Sequence, residues 1–151
     1  MSGIKQRLQD DVKTAMLAGD SLRLECLRGL KSAILYAEVA AGKREAGLSD
    51  DEILGLLAKE AKKRQESADL YVQGGSQERA EKELAEKAII EEYLPEQMSE
   101  DELTQIIDEL ISQVKPQGMQ QMGQVIGQVK SRVGNKADGS IIARLVKEKL
   151  S

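Results

Sequence analysis

The sequence predicts an all-α protein, and three observations support this. Ala, Leu, Glu, Lys, Gln and Arg, which are strong helix formers, dominate its 151 residues. Apolar residues recur three and four positions apart along most of the chain. Only two prolines occur, and no run rich in Val, Ile, Thr and aromatic residues indicates a strand. Because the chain has no Phe, no Trp and three Tyr, the core must be aliphatic.

Four helices are predicted in the first part of the chain. The periodic apolar positions place them at about 4–17, 22–41, 50–72 and 77–93. Gly19, the Gly42–Gly47 loop and the pair Gly74–Gly75 separate them, since glycine commonly ends helices. Ser49 followed by Glu52 predicts a capping box at the start of the third helix.

The chain is predicted to change domain at Leu94–Met98, because proline disfavours helix at the residue before it. This gives an N-terminal helical domain of about four helices over residues 1–94 and a small C-terminal three-helix domain over 95–151. The three helices are predicted at about 100–114, 119–133 and 139–150. Ser99 with Glu102 predicts a second capping box, and Asp138 a cap on the last helix.

The composition offers little catalytic or metal-binding chemistry. Histidine is absent, which removes the commonest general base and metal ligand. Cys26 is the single cysteine, so the chain lacks a zinc ligand set, and no glycine-rich loop ends in Gly-Lys-Ser or Gly-Lys-Thr. Cys26 flanks an apolar stripe, which favours a core cysteine over a reactive one. We therefore predict no catalytic residue, no metal and no cofactor.

Two other arrangements are weak candidates for catalytic groups. A serine beside a lysine occurs at Lys31–Ser32 and at Lys130–Ser131, but adjacent residues on a helix do not face each other. Carboxylate pairs occur at Asp10–Asp11 and Asp50–Asp51, and they fit solvated helix starts better than a general acid and base.

The start of the chain has no apolar signal-peptide core, and no apolar stretch approaches the roughly 20 residues that cross a bilayer. We therefore expect a cytoplasmic protein that does not contact membranes. Its net charge is −4, but seven Lys or Arg and only two acids lie between Lys115 and Ser151. Five cations of this segment are candidate phosphate contacts, and the alternative is a solvated face. They are Lys130, Arg132, Lys136, Arg144 and Lys147.

A second basic patch lies on the third helix, where two glutamates flank the cations, so a solvated face is again the alternative. Its members are Lys59, Lys62, Lys63 and Arg64.

Gly123 and Gly127 lie one turn apart on the sixth helix. Each glycine costs roughly 1 kcal/mol against alanine in a helix interior, so two on one face indicate a purpose. Either the helix packs closely on the fifth or seventh helix, or an RNA backbone approaches it. Gly134 and Gly139 would help to shape the same surface.

Several segments resemble known proteins. Met122–Val129, Gly134–Ser140 and Leu145–Leu150 resemble the tail domain of the GatB subunit of tRNA-dependent amidotransferases. With Arg28–Ile34 and Tyr93–Leu103, the whole chain resembles the free-standing GatB/YqeY family. The resemblance implies two all-α domains and tRNA contact through the tail. It does not imply catalysis, because a carbon–nitrogen ligase label with glutamine as amido donor belongs to the larger enzyme.

We therefore predict a non-catalytic helical module that binds tRNA or a tRNA-handling protein. One alternative is a protein–protein interaction adaptor without RNA binding, which the scarcity of stacking aromatics favours. Another is an accessory role in trans to an aminoacyl-tRNA amidotransferase. A third is a DNA-binding helix-turn-helix of the last two helices, with Ser140, Arg144 and Lys147 as the base-reading residues.

Overall fold

The computed structural model describes residues 3–151, and it confirms the all-α prediction: no strand occurs in that range. The chain divides into two compact units: unit 1 ends at Leu94, and unit 2 begins at Pro95. The described residues form seven α-helices in this order: α1 Gly3–Ala18, α2 Ser21–Ala40, α3 Asp50–Gln73, α4 Gln77–Glu91, α5 Glu100–Val114, α6 Met122–Val133 and α7 Gly139–Leu150.

Unit 1 contains α1 to α4 around an aliphatic core. The α3 and α4 helices form a hairpin through Gly74–Gly75, and Gly75 has a φ of 81°, which favours glycine. The largest fully buried side chains of this core are Leu8, Leu27, Leu30, Ile53, Leu57 and Ile90. Each contributes roughly 1.5–3 kcal/mol by leaving water.

The helical spacing of Ala80, Leu84, Ala88 and Tyr93 predicts an apolar stripe on α4, and the structure confirms Ala80 and Tyr93 as buried. Ala80 is fully buried, but Leu84 is 41% exposed and Ala88 is exposed. Each step of four residues advances about 40° around a helix axis, so this series rotates out of the core. Ile89 and Ile90 are buried instead.

Unit 2 contains α5, α6 and α7, whose buried faces meet in a smaller core. Its members below a tenth exposure include Leu103, Ile107, Val125, Val129, Ile142 and Val146. The α6 helix begins at Met122, three residues later than predicted, because Met119–Gln121 form a 3₁₀ turn. Gly118, with a φ of 137°, precedes this turn.

The predicted helix caps are present. Ser49 Oγ accepts a hydrogen bond from Glu52 N, and the Glu52 side chain accepts one from Ser49 N, so the first capping box is complete. At α5 the structure shows the serine half, in which Ser99 Oγ accepts from Glu102 N. Asp138 caps α7 by accepting from Ser140 N.

Candidate nucleic-acid interface

The exposed side of α6 carries the two glycines of the predicted interface. Val125, Val129 and Val133 face the core, whereas Gly123 and Gly127 are exposed. Apart from the adjoining backbone of α6 itself, a Cβ atom built on either glycine would meet no atom of residues 3–151 within 4 Å. The close-packing interpretation is therefore wrong, because no neighbouring helix approaches either position. The glycines leave the backbone of α6 bare toward solvent over one turn.

The turn between α6 and α7 continues this surface. Gly134 ends α6 with a φ of 57°, a conformation that costs little for glycine. The turn is held in place within unit 2, because Met98 N donates to the Lys136 carbonyl at 2.8 Å. The Gln97 side-chain amide also donates to the Asn135 carbonyl at 3.0 Å.

Lys130 connects α6 to the start of α7. Its Cε and Nζ lie 3.3 and 3.4 Å from the position that a Cβ atom of Gly139 would occupy. Lys130 follows Gly123 and Gly127 on the same side of α6, since residues three and four apart share a helix face. The structure thus brings Lys130 and all four predicted glycines to one surface, which we call the glycine face: Gly123, Gly127, Lys130, Gly134 and Gly139.

The five predicted phosphate contacts differ in whether a carboxylate already pairs with them. Arg132 Nη2 lies 2.8 Å from Glu109 Oε2, and Arg144 ion-pairs with both Glu100 and Glu148. Hydrogen bonding to Glu100 raises the pKa of Arg144. Arg132 is also two residues from Lys130, which places it about 200° away around the axis of α6.

The remaining three predicted contacts are exposed lysines: Lys130, Lys136 and Lys147. Within residues 3–151, no ion pair joins any of the three to a carboxylate. Their charge is therefore available to a ligand, unlike that of the two arginines.

The acids that bind the arginines lie outside the segment from which the positive tail was predicted. Residues 95–151 carry seven Lys or Arg and eight Asp or Glu. Most of these acids lie on α5, and Asp108 there also pairs with Lys149 at 3.1 Å. The positive tail is thus balanced within its own unit.

The second predicted basic patch, on α3, is partly neutralised in unit 1. Arg64 lies among Glu60, Glu83 and Glu86, and its Nε is 3.0 Å from Glu86 Oε2. That Nε–H does not point at an acceptor, so the contact is ionic rather than a hydrogen bond. Lys63 pairs with Glu60 at 3.4 Å. Arg64 and Lys63 of this patch are therefore already engaged by glutamates.

Cys26 is a core residue, as predicted, and is 6% exposed. Burial raises the pKa of its thiol to about 11, so the nucleophilic thiolate is scarce at neutral pH. Over residues 3–151 no group of His, Cys, Asp and Glu is placed to hold a metal ion. No helix in that range is long and apolar enough to cross a bilayer.

The chain is similar to known proteins over nearly its whole length. A family model described as Yqey-like protein matches residues 5–150. A Kluyveromyces lactis protein, altered inheritance of mitochondria protein 41, mitochondrial, is 29% identical over 125 residues, which cover 81% of this chain and 66% of that protein.

A glutamyl-tRNA(Gln) amidotransferase subunit of Thermococcus gammatolerans is 35% identical over 57 residues. That match covers 35% of this chain and 9% of the amidotransferase subunit, so the chain spans a small part of that protein's length. The family model, in contrast, covers nearly all of this chain. The chain belongs to the YqeY-like protein family.

Proposed function

We propose that this chain is a non-catalytic helical module that binds tRNA through the glycine face of unit 2. The observation that carries the proposal is the bare turn of α6 with Lys130 on the same face and Lys136 in the turn that follows. These two lysines, and Lys147 on α7 of the same unit, have no carboxylate partner in the described part of the chain. Exposed lysines bind phosphates as point charges, and a helix without side chains permits a nucleic-acid backbone to approach. The similarity to a glutamyl-tRNA(Gln) amidotransferase subunit supports tRNA as the nucleic acid.

The three lysines carry the phosphate contacts in this proposal, with Lys130 at the centre of the glycine face and Lys136 in the adjoining turn. Arg132 and Arg144 contribute less. An exposed ion pair contributes about 0.2–1 kcal/mol, so phosphate can displace the carboxylate. The displaced carboxylate nevertheless remains nearby and repels the phosphate.

A DNA-reading role for α7 is less well supported. Its candidate base-reading side chains are already engaged, because Ser140 Oγ donates to Asp138 at 2.7 Å and Arg144 binds two glutamates. Phosphate contact through lysines needs none of these groups and has no dependence on base sequence.

The test measures tRNA affinity by fluorescence anisotropy as a function of salt concentration. If three lysines engage phosphates, the log–log slope should lie between about −2 and −3, whereas five contacts would give a slope beyond about −3.5. Replacing Lys130, Lys136 or Lys147 by Ala should flatten the slope by roughly one unit each, with similar losses for different tRNAs.

Lys149→Ala is the matched control, since Lys149 lies in the same unit but is paired with Asp108. It should change the slope little. If low-salt tRNA binding is absent, or is insensitive to the three lysines, the tRNA proposal is wrong. The chain would then fit a protein adaptor, or an accessory protein that acts in trans on an amidotransferase or another tRNA-handling protein.

A further inference from the structure

A groove runs between α1 and α2 in unit 1 and is unrelated to the glycine face. Its volume is about 380 Å³, within the range of sites that hold ligands or side chains of a partner. Leu8 and Ile34 form the floor and are 1% and 2% exposed. The floor therefore belongs to the core of unit 1, whereas the groove above it is open to solvent.

The rim of the groove is apolar along α2. Leu35 lines it and is 50% exposed, and Val39, one helical turn later, is 54% exposed. Tyr36 beside them is 81% exposed. None of the three contributes to the core of unit 1. An apolar ridge next to a concave apolar floor is typical of a surface that binds a partner.

One end of the groove is closed by a buried carboxylate. Glu38 is 2% exposed, ion-pairs with Lys5 and accepts a hydrogen bond from Leu48 N at 2.9 Å. Gly47 packs against the Glu38–Lys5 ion pair, since a Cβ atom built on it would lie 3.2 Å from both Glu38 Oε2 and Lys5 Nζ. Among the described residues that line the groove, Glu38 is the single acid, and these contacts neutralise its charge.

The rest of the groove carries unbalanced positive charge. Lys31 lines it and is exposed, and Arg28 lies one turn earlier on the same side of α2. Within residues 3–151 neither cation has an ion-pair partner. This local excess stands out in a protein whose net charge is −4.

We propose that the groove binds an acidic amphipathic helix of a partner protein. Apolar residues three and four apart on that helix would enter the groove over Leu8 and Ile34 and cover Leu35. Asp or Glu residues flanking the apolar stripe would face Lys31 and Arg28, and this complementarity selects acidic helices over basic ones. RNA gains nothing from the apolar floor, and a flat lipid surface does not reach it.

A synthetic probe tests the proposal with the full chain. The probe is a fluorescein-labelled helix of about 18 residues, with Leu at positions i, i+3, i+4 and i+7, Glu on both flanks and Ala elsewhere, since shorter helices are marginal in water. A second peptide replaces every Glu by Lys. Anisotropy should show binding of the acidic peptide and at least roughly tenfold weaker binding of the basic one.

Two variants locate the binding site. Leu35→Glu should weaken binding by roughly tenfold or more, because it removes an apolar contact and adds a repelling charge. Lys31→Glu should weaken binding of the acidic peptide roughly threefold to tenfold and strengthen binding of the basic peptide. Leu70→Glu on α3 is the matched control, since Leu70 is 67% exposed outside the groove, and it should leave binding unchanged.

Circular dichroism checks that each variant is folded. If Leu35→Glu does not fold, Lys31→Glu tests the proposal instead through its opposite effects on the acidic and the basic peptide. Reversing this exposed charge does not disturb the core. The proposal is wrong if the acidic peptide does not bind at about 1 mM protein, or if Leu70→Glu weakens it as much as Leu35→Glu. It is also wrong if tRNA or anionic vesicles displace the peptide, or if sedimentation shows that Leu35→Glu abolishes self-association, which would indicate a second copy as the occupant.

Discussion

Replacing Gly123 and Gly127 by Ala should make the protein more stable and at the same time weaken tRNA binding. Both glycines lie within α6, neither has a positive φ, and a Cβ on either meets no atom within 4 Å. Alanine therefore adds no clash, and each substitution should gain about 0.8–1 kcal/mol from helix propensity. Together the two should raise the free energy of unfolding by roughly 2 kcal/mol.

Thermal unfolding followed by circular dichroism measures this gain. In a unit of about 60 residues, 1 kcal/mol corresponds to roughly 4–8 °C in Tm, so the pair should raise the Tm of the transition of unit 2 by roughly 8–16 °C. Anisotropy with tRNA at low salt measures the second effect. Two methyl groups would hold a phosphate backbone away from α6, and we expect roughly a threefold to tenfold loss of affinity.

Gly29→Ala provides the matched control. Gly29 is exposed on α2, and a Cβ there also meets nothing within 4 Å, so alanine should stabilise unit 1 without changing tRNA affinity. A lower Tm for the α6 double variant would refute the structural argument that the face is open. A higher Tm with unchanged affinity would show that the bare turn of α6 is not an RNA contact.

Four further outcomes are expected. Lys5→Ala should lower the free energy of unfolding by about 2 kcal/mol at pH 7, because it leaves the buried Glu38 carboxylate without its cation. Hydrogen bonding to Lys5 lowers the pKa of Glu38 below its ordinary 4.5. The stability that this pair contributes is therefore present above pH 4.5 and is lost as the pH falls through the lowered pKa. Urea titrations should show a smaller difference in unfolding free energy between the wild type and Lys5→Ala at pH 3 than at pH 7. Cys26 should react with a thiol reagent at the rate at which the protein opens, and labelling as fast as that of a free thiol would contradict its burial. The purified protein should hydrolyse neither ATP nor glutamine above the buffer rate, and an activity abolished by one substitution would overturn the non-catalytic proposal. A fragment of residues 95–151 should fold alone with a cooperative thermal transition, and a featureless melt would show that unit 2 depends on the rest of the chain.

Local signals in the sequence were enough to predict most of the helices. Ser49 and Asp138 cap the helices that follow them, because a side chain close to the first turn needs no distant partner to find the free N–H groups. The start of α6 was predicted too early. Lys115 takes a left-handed conformation with a φ of 53° at the end of α5, and no local pattern marks a lysine for that role.

The candidate site was harder to predict, because its electrostatics depend on contacts between helices distant in sequence. The tail of the chain alone counts as strongly positive, but Glu109 and Glu100 on α5 reach Arg132 and Arg144 across the unit. The groove of unit 1 was not predicted, because Leu27, Leu30 and Ile34 already explain the apolar pattern of α2 as a core-facing stripe. Leu35, adjacent to that stripe, could equally have been an isolated surface leucine, since such residues are common.

The contact between Lys130 and Gly139 means that the site's central charge is positioned by a residue with no side chain. A methyl group at position 139 would push the ammonium aside by a few tenths of an ångström, at little cost to the fold because a lysine tip is flexible. Gly139→Ala is thus a way to displace a charge without removing it. In a double-mutant cycle with Lys130→Ala, its effect on ligand affinity should vanish once the lysine is gone. The two positions act as one unit, and a relative that differs at position 139 would present its cation to a different point on the same ligand.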